Sequence, residues 1–194
     1  MRENPTAEIK LNNGRRIILE LRPDYAFNEV CSFIYAAESG FYNHFAIQRI
    51  VPGSWIDISY SAFNREECQY FLQNRIKEES NGLIKRPEPG DVCLGYYSDA
   101  EISGTEFFFP LRECDDLLGK CPVIGQVTEG MEELYRIGRT PTYPVDLAVP
   151  FVINCPSTPE IIVEVIIDRK GVQYPMPEQL KEFVRPVTWP AFSA

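Results

Sequence analysis

The sequence predicts a mainly β fold, a closed barrel or sandwich capped by two α-helices. Three observations carry this. Short β-branched and aromatic runs recur between turn-forming residues, as strands require. Two windows clearly place apolar residues at helical spacing. The 194 residues, 44% hydrophobic and 24% charged, suffice for one well-filled core.

Taken in order, Ile9 to Leu21 reads as two strands around Asn13-Gly14, a pair suited to a type I′ hairpin turn. After Pro23, residues Val30, Phe33, Ile34 and Ala37 recur at i, i+3, i+4 and i+7, predicting a helix from Asn28 to Ser39 that Gly40 stops. Phe45 to Ser59 reads as strand, turn, strand, broken at Pro52-Gly53. The stretch from Asn64 to Ser80 is ambiguous between a helix capped by Asn64 and Glu67 and a strand. Short strands follow at Asp91 to Tyr97, Glu106 to Phe109 and Val123 to Val127, then a second helix face of Met131, Leu134 and Tyr135. Five prolines between Pro141 and Pro159 predict a long connection, and Ile161 to Ile167 a buried strand ending at the turn Arg169-Lys170-Gly171. We read one domain over 1–194, with a Pro-rich insert at about 141–159 and a C-terminal extension at about 172–194, where Trp189 looks like an apolar anchor.

Composition excludes several classes. Nineteen Lys and Arg against 28 Asp and Glu give a net charge of −9, which repels phosphate backbones and anionic lipid, so no nucleic-acid or membrane partner is expected. Met1 to Lys10 is charged and lacks an apolar run, so a cytoplasmic protein is expected. Six cysteines lie singly in apolar contexts and read as buried free thiols. With His44 the only histidine, no metal site and no cofactor is expected.

Three segments then carry a family resemblance. "IILELRPDYAFNEVCSFIYAAESGFYNHFAIQRIVPG", "SGTEFFFPL" and "LLGKCPVIGQVTEGM" stand in order and at near-family spacing. Together they resemble the cyclophilin-type peptidyl-prolyl isomerases, in a divergent, bacterial-like form, from about Ile17 to Met131. The resemblance implies a closed eight-stranded antiparallel barrel capped by two helices, and it favours a strand near Tyr70 to Ile76. It implies catalysis of X-Pro isomerisation in peptides or unfolded chains, assisting protein folding, by a protein expected to be a monomer.

That reaction must cross a barrier of about 18–20 kcal/mol, because the amide loses its resonance in the twisted state. An apolar proline pocket helps, as does a donor aimed at the imide nitrogen, whose lone pair localises only on twisting. A guanidinium, always charged and rigidly forked, suits that task. A lone strand arginine is usually a solvated surface residue, but Arg49 falls on the family's catalytic arginine, inside "QRIVPG". Phe108 falls on the floor of the proline pocket, with Trp55 and Leu117 enclosing it, whereas Phe107 reads as core.

Departures surround these residues. Ser54-Trp55 replaces the family's Phe-Met, and Asp57 replaces a glutamine that supports the arginine. A carboxylate at Asp57 would orient Arg49 and also compete for its donors. Gln48 and Cys121 replace histidines, Ile124 an aromatic and Asp116 a tryptophan, while Tyr96 and Tyr97 fill the place of a small Ala-Asn pair. "SAFNREECQ" replaces a Gly-rich loop of the peptide rim. Weakened activity follows, since misplacement by about 1 Å costs on the order of a hundredfold.

The alternative is a non-catalytic cyclophilin-like peptide- or ligand-binding module. Asp57, Glu101 and Glu106 would steer such a groove towards basic or amine-bearing ligands. A third reading is thiol chemistry at Cys121, taken as solvent-facing, although Asp115 and Asp116 balance Lys120 and leave no electropositive setting.

Overall fold

Antiparallel pairing of short strands produces a strongly curled sheet. The computed structural model describes residues 3–58, 65–76, 84–146 and 152–186. The chain runs β1 (Thr6–Leu11), β2 (Arg16–Leu21), α1 (Phe27–Glu38), β3 (Phe45–Ala46), β4 (Arg49–Val51), β5 (Trp55–Ile58), β6 (Phe71–Gln73), β7 (Asp91–Tyr96), β8 (Glu101–Pro110), β9 (Val123–Glu129), α2 (Met131–Gly138), β10 (Thr142–Val145), β11 (Ile153–Pro156) and β12 (Ile161–Asp168). The sheet order is β3-β12-β1-β2-β9-β7-β8-β5-β4, with β6 branching from β8. Among the described residues, the two-residue β3 and the branch β6 thus add to eight strands, β1, β2, β4, β5, β7, β8, β9 and β12. The ends of this path, β3 and β4, are separated in sequence by Ile47 and Gln48 alone, as the strong curl of this half-barrel sheet allows.

Alternation explains which face is buried. Ile9, Ile17, Leu19, Ile50, Ile56, Val92, Leu94, Phe107, Phe109 and Ile124 point inwards and join one core with Val30, Phe33, Ile34 and Ala37 of α1. Phe107 packs edge-on against Phe33, Tyr42 and Phe109, as its core reading requires. Gly40, at φ 71°, ends α1: its N–H bonds Ala37 and that of Phe41 bonds Ala36, the paired bonds of a Schellman motif. In α2 the buried face is Leu134 and Ile137, while Tyr135 is 39% exposed, so Tyr135 does not belong to the face read from sequence.

Two local expectations need correction, and one open choice is decided. The hairpin at Asn13-Gly14 forms, but only Gly14 has positive φ; Gly14 N–H bonds Leu11 C=O, Leu11 N–H bonds Arg15 C=O, and the Asn13 side chain accepts Arg15 N–H. This is a three-residue loop with one left-handed position, not a type I′ turn. The ambiguous stretch holds a 3₁₀ turn, Glu66–Cys68, and then β6, which favours the strand; Asn64 lies outside the described residues. The proline-rich connection contains a two-stranded ribbon, with Thr142 opposite Pro156 and Val145 opposite Ile153, and β11 lies beside β4. Proline is tolerated there because an edge strand spares the missing donor. In the extension, Leu180 N–H bonds Phe71 C=O and the Phe183 ring sits 5.0 Å from that of Phe71. Trp189 lies outside the described residues.

One buried carboxylate ties the hairpin to α2, and through Arg136 to the residue that precedes β12. Glu133 accepts from Arg136 Nε at 2.8 Å, from Arg15 and from Asn13, while Arg136 also reaches Glu160. Burial pushes Glu133 up, but the bonds from Arg136, Arg15 and Asn13 outweigh it and hold the carboxyl below its ordinary 4.5. A lowered folded value stabilises the fold above 4.5, and that contribution is lost as pH falls through the folded value. Glu133→Gln is therefore expected to cost about 2 kcal/mol at neutral pH and to flatten the acid limb. Urea unfolding of both proteins at neutral and acidic pH checks it; parallel acid limbs would contradict it.

Candidate functional site

Outward positions of the same strands build a second apolar cluster on the outer face. Cross-strand partners share a face, and the register runs Arg49 to Asp57, Asp57 to Phe108, Phe108 to Cys93 and Cys93 to Val123. This row alternates with the inward residues Ile50, Ile56 and Phe107, so it lies on the opposite side of the sheet. Phe108, Cys93, Cys121 and Val123 form its buried part, with Trp55, Tyr96 and Leu117 packed round it. The Trp55 and Phe108 rings are 6.1 Å apart at 57°. Leu117 comes from the 3₁₀ turn Asp115–Leu117, which folds over the row.

The turn between β4 and β5 fixes the polar end. Pro52 and Gly53, the latter at φ 69°, take the central turn positions, and Ser54 N–H bonds Val51 C=O at 2.9 Å. Arg49 and Asp57 are thereby placed opposite each other, and Arg49 Nη1 donates to Asp57 Oδ2. Their side chains are 14% and 13% exposed. Gln48, half-buried, lies in the link between β3 and β4.

The remaining sequence-selected residues divide. Tyr96 donates its hydroxyl to Asp99 at 2.9 Å, with Lys120 Nζ 5.9 Å from its ring centre. Glu106 is buried and accepts the Tyr97 hydroxyl at 2.5 Å, and Glu101 accepts the Ser98 hydroxyl at 3.2 Å. With Asp57 held by Arg49, the three carboxylates are not an open acidic rim, and the argument for basic ligands loses its footing. Cys121 is 4% exposed and burial pushes its thiol up to about 12, which corrects its reading as solvent-facing. Alkylation of the native protein followed by mass mapping is expected to modify Cys155, the least buried of the six thiols, well before Cys121. Early modification of Cys121 would overturn the buried placement.

Sequence reasoning missed Cys93 and Val123 under the row and Tyr97 as the partner of Glu106. Their signal was alternation: Cys93 and Val123 stand at outward positions of β7 and β9, directly across from Phe108 and from each other. Among the described residues, no three His, Cys, Asp or Glu side chains are grouped to hold a metal ion, and no helix is long and apolar enough to cross a membrane.

Comparison with known proteins identifies the frame in which this site sits. Residues 6–155 match the family described as cyclophilin type peptidyl-prolyl cis-trans isomerase/CLD. The chain belongs to that family. Among curated relatives, peptidyl-prolyl cis-trans isomerase B of Bacillus subtilis is 28% identical over 127 residues, covering 66% of this chain and 86% of its own. The probable peptidyl-prolyl cis-trans isomerase of Brucella suis is 26% identical over 140 residues, or 68% and 70% of the two chains. The match to peptidyl-prolyl cis-trans isomerase CYP57 of Arabidopsis thaliana, 24% identical over 65% of this chain, spans 25% of that relative's length. It spans 22% of the isomerase-like 2 protein of Cryptococcus neoformans.

The fold agrees. The crystal structure of a cyclophilin type isomerase of Cryptosporidium parvum, obtained in the presence of the dipeptide Ala-Pro, superposes with a TM-score of 0.69 at 17% identity, covering 84% of this chain and 98% of that one. The family's mainly β, antiparallel and strongly curled architecture with two helices is thus this chain's own. In family terms, the chain carries the cyclophilin sheet.

Proposed function

We propose that this cyclophilin is a peptidyl-prolyl cis-trans isomerase acting on X-Pro bonds of peptides and unfolded chains, with activity lowered by its altered groove. One observation carries the reading: Arg49 and Phe108 share one outward row, separated only by Asp57. A proline ring resting on Phe108, flanked by Trp55 and Leu117, leaves its imide nitrogen on the Arg49 side. The guanidinium then donates to nitrogen as the lone pair localises, an interaction stronger in the twisted state than in either planar isomer. Arg49 is the catalytic residue in this reading. Gln48, Tyr96, Glu106 and Cys121 shape the groove, Glu106 through Tyr97. No nucleophile, metal or cofactor enters the step.

The test is NMR exchange on a panel of X-Pro peptides, with proline-free peptides as controls. Exchange of X-Pro peptides above the uncatalysed rate supports the isomerase. Binding without any rate enhancement overturns it and leaves a non-catalytic ligand-binding module. The Arg49–Asp57 pair is the observation favouring that second reading, because it occupies donors the reaction needs.

A further inference from the structure

We propose that Asp57 is a built-in counter-ion that restrains Arg49, so that removing its charge speeds isomerisation without tightening peptide binding. The inference rests on the isomerase reading and concerns the same groove. Asp57 stands between Arg49 and Phe108 in the row, adjacent strands being about 4.8 Å apart. The pair is largely shielded from water, at 14% and 13% exposure, so screening is weak. On the same face Trp55 stands two residues back on β5, and the carboxylate's charge helps push up the Cys121 thiol.

The chemistry gives the sign. Twisting the imide gathers electron density on nitrogen, which a guanidinium N–H stabilises and a neighbouring carboxylate opposes. In the planar bound peptide that density is delocalised, so Asp57 weighs on the twisted state more than on binding. Its effect therefore falls on kcat rather than KM. Asp57 also orients Arg49, but orientation needs only an acceptor. An amide at position 57 keeps an oxygen for Nη1 and drops the charge. Asp57 is a positioning residue whose charge exceeds what positioning requires.

The experiment compares the unaltered protein with Asp57→Asn, Asp57→Glu, Arg49→Ala and the double variant Arg49→Ala/Asp57→Asn. Exchange of one X-Pro peptide at saturation is measured by NMR, and Kd by chemical-shift titration. Asp57→Asn is expected to exchange bound peptide about three- to tenfold faster, with Kd changed less than about twofold. Asp57→Glu keeps the charge and stays slow, and the double variant is no faster than Arg49→Ala. Should Asp57→Asn fail to fold, Asp57→Gln carries the same comparison. An unchanged or slower Asp57→Asn, with catalysis still lost in Arg49→Ala, overturns the restraint and leaves the isomerase reading standing. An equal gain in Asp57→Glu also overturns it, because charge is then not the cause. Exchange indifferent to Arg49→Ala overturns both.

Discussion

Replacing Arg49 with alanine is expected to lower catalysed X-Pro exchange about a hundredfold or more, the usual consequence of deleting one preorganised donor. The loss should appear at saturating peptide, because the interaction belongs to the twisted state. Binding should change little if the proline rests, as proposed, on Phe108, Trp55 and Leu117, which pack together apart from the guanidinium. Exchange NMR separates the two, and an Arg49→Ala protein that binds and still catalyses would exclude Arg49 from the chemistry. Folding is held independently: Ile50, on the opposite face of β4, is fully buried, and the Pro52-Gly53 turn does not use the arginine. Arg49→Lys is expected to keep a fraction of the rate, because an ammonium supplies charge without the fixed fork.

Gly104→Ala is expected to be strongly destabilising. A Cβ built on Gly104 lies 2.0 Å from Tyr70 Cε2, 2.3 Å from Cδ2 and 2.7 Å from Cζ. The ring has no easy retreat: its hydroxyl is 2.8 Å from Ser32 Oγ, which in turn donates to Gly104 C=O at 2.7 Å. Relief requires moving either the buried tyrosine or the backbone of β8, at a cost of about 3 kcal/mol. For a chain of this size that lowers Tm by about 6–12 °C. Calorimetry or thermal unfolding followed by circular dichroism checks it. Gly104→Ala/Tyr70→Leu should recover part of the loss, and a Gly104→Ala protein as stable as the parent would refute the clash. Because β8 carries Glu106 and Phe108 a few residues on, a displaced strand should also weaken peptide binding.

Much of the frame was legible because its signals are local. The spacing of Val30, Phe33, Ile34 and Ala37, with Gly40 behind them, fixes α1 almost to the residue. Pro52-Gly53 marks the turn that sets Arg49 against Asp57. Signals failed where tertiary contacts decide. Asn13-Gly14 marks a hairpin, but its loop length depends on Leu11 and Arg15, which bond across it. Prolines between Pro141 and Pro159 read as connection because the ribbon they join is stabilised from outside, alongside β4. The apolar groove was found through the family resemblance, yet the burial of Cys121 and the capture of Glu106 by Tyr97 are properties of folded neighbours. Gly104 shows the same limit from the other side. Its need for hydrogen in place of a side chain comes from Tyr70, thirty-four residues earlier in the chain.

The pairing of β1 with β12 also sets a clock on biosynthesis. Ile9 lies opposite Val165, so β1 waits for a partner made 156 residues later. At a synthesis rate of about 5–20 residues per second, the interval is roughly 8–30 s, during which one edge of β1 has no native partner. The same late strand pairs with β3, just ahead of Arg49. Until β12 has been made, a nascent copy of this chain therefore lacks the strand that ties β1 to β3.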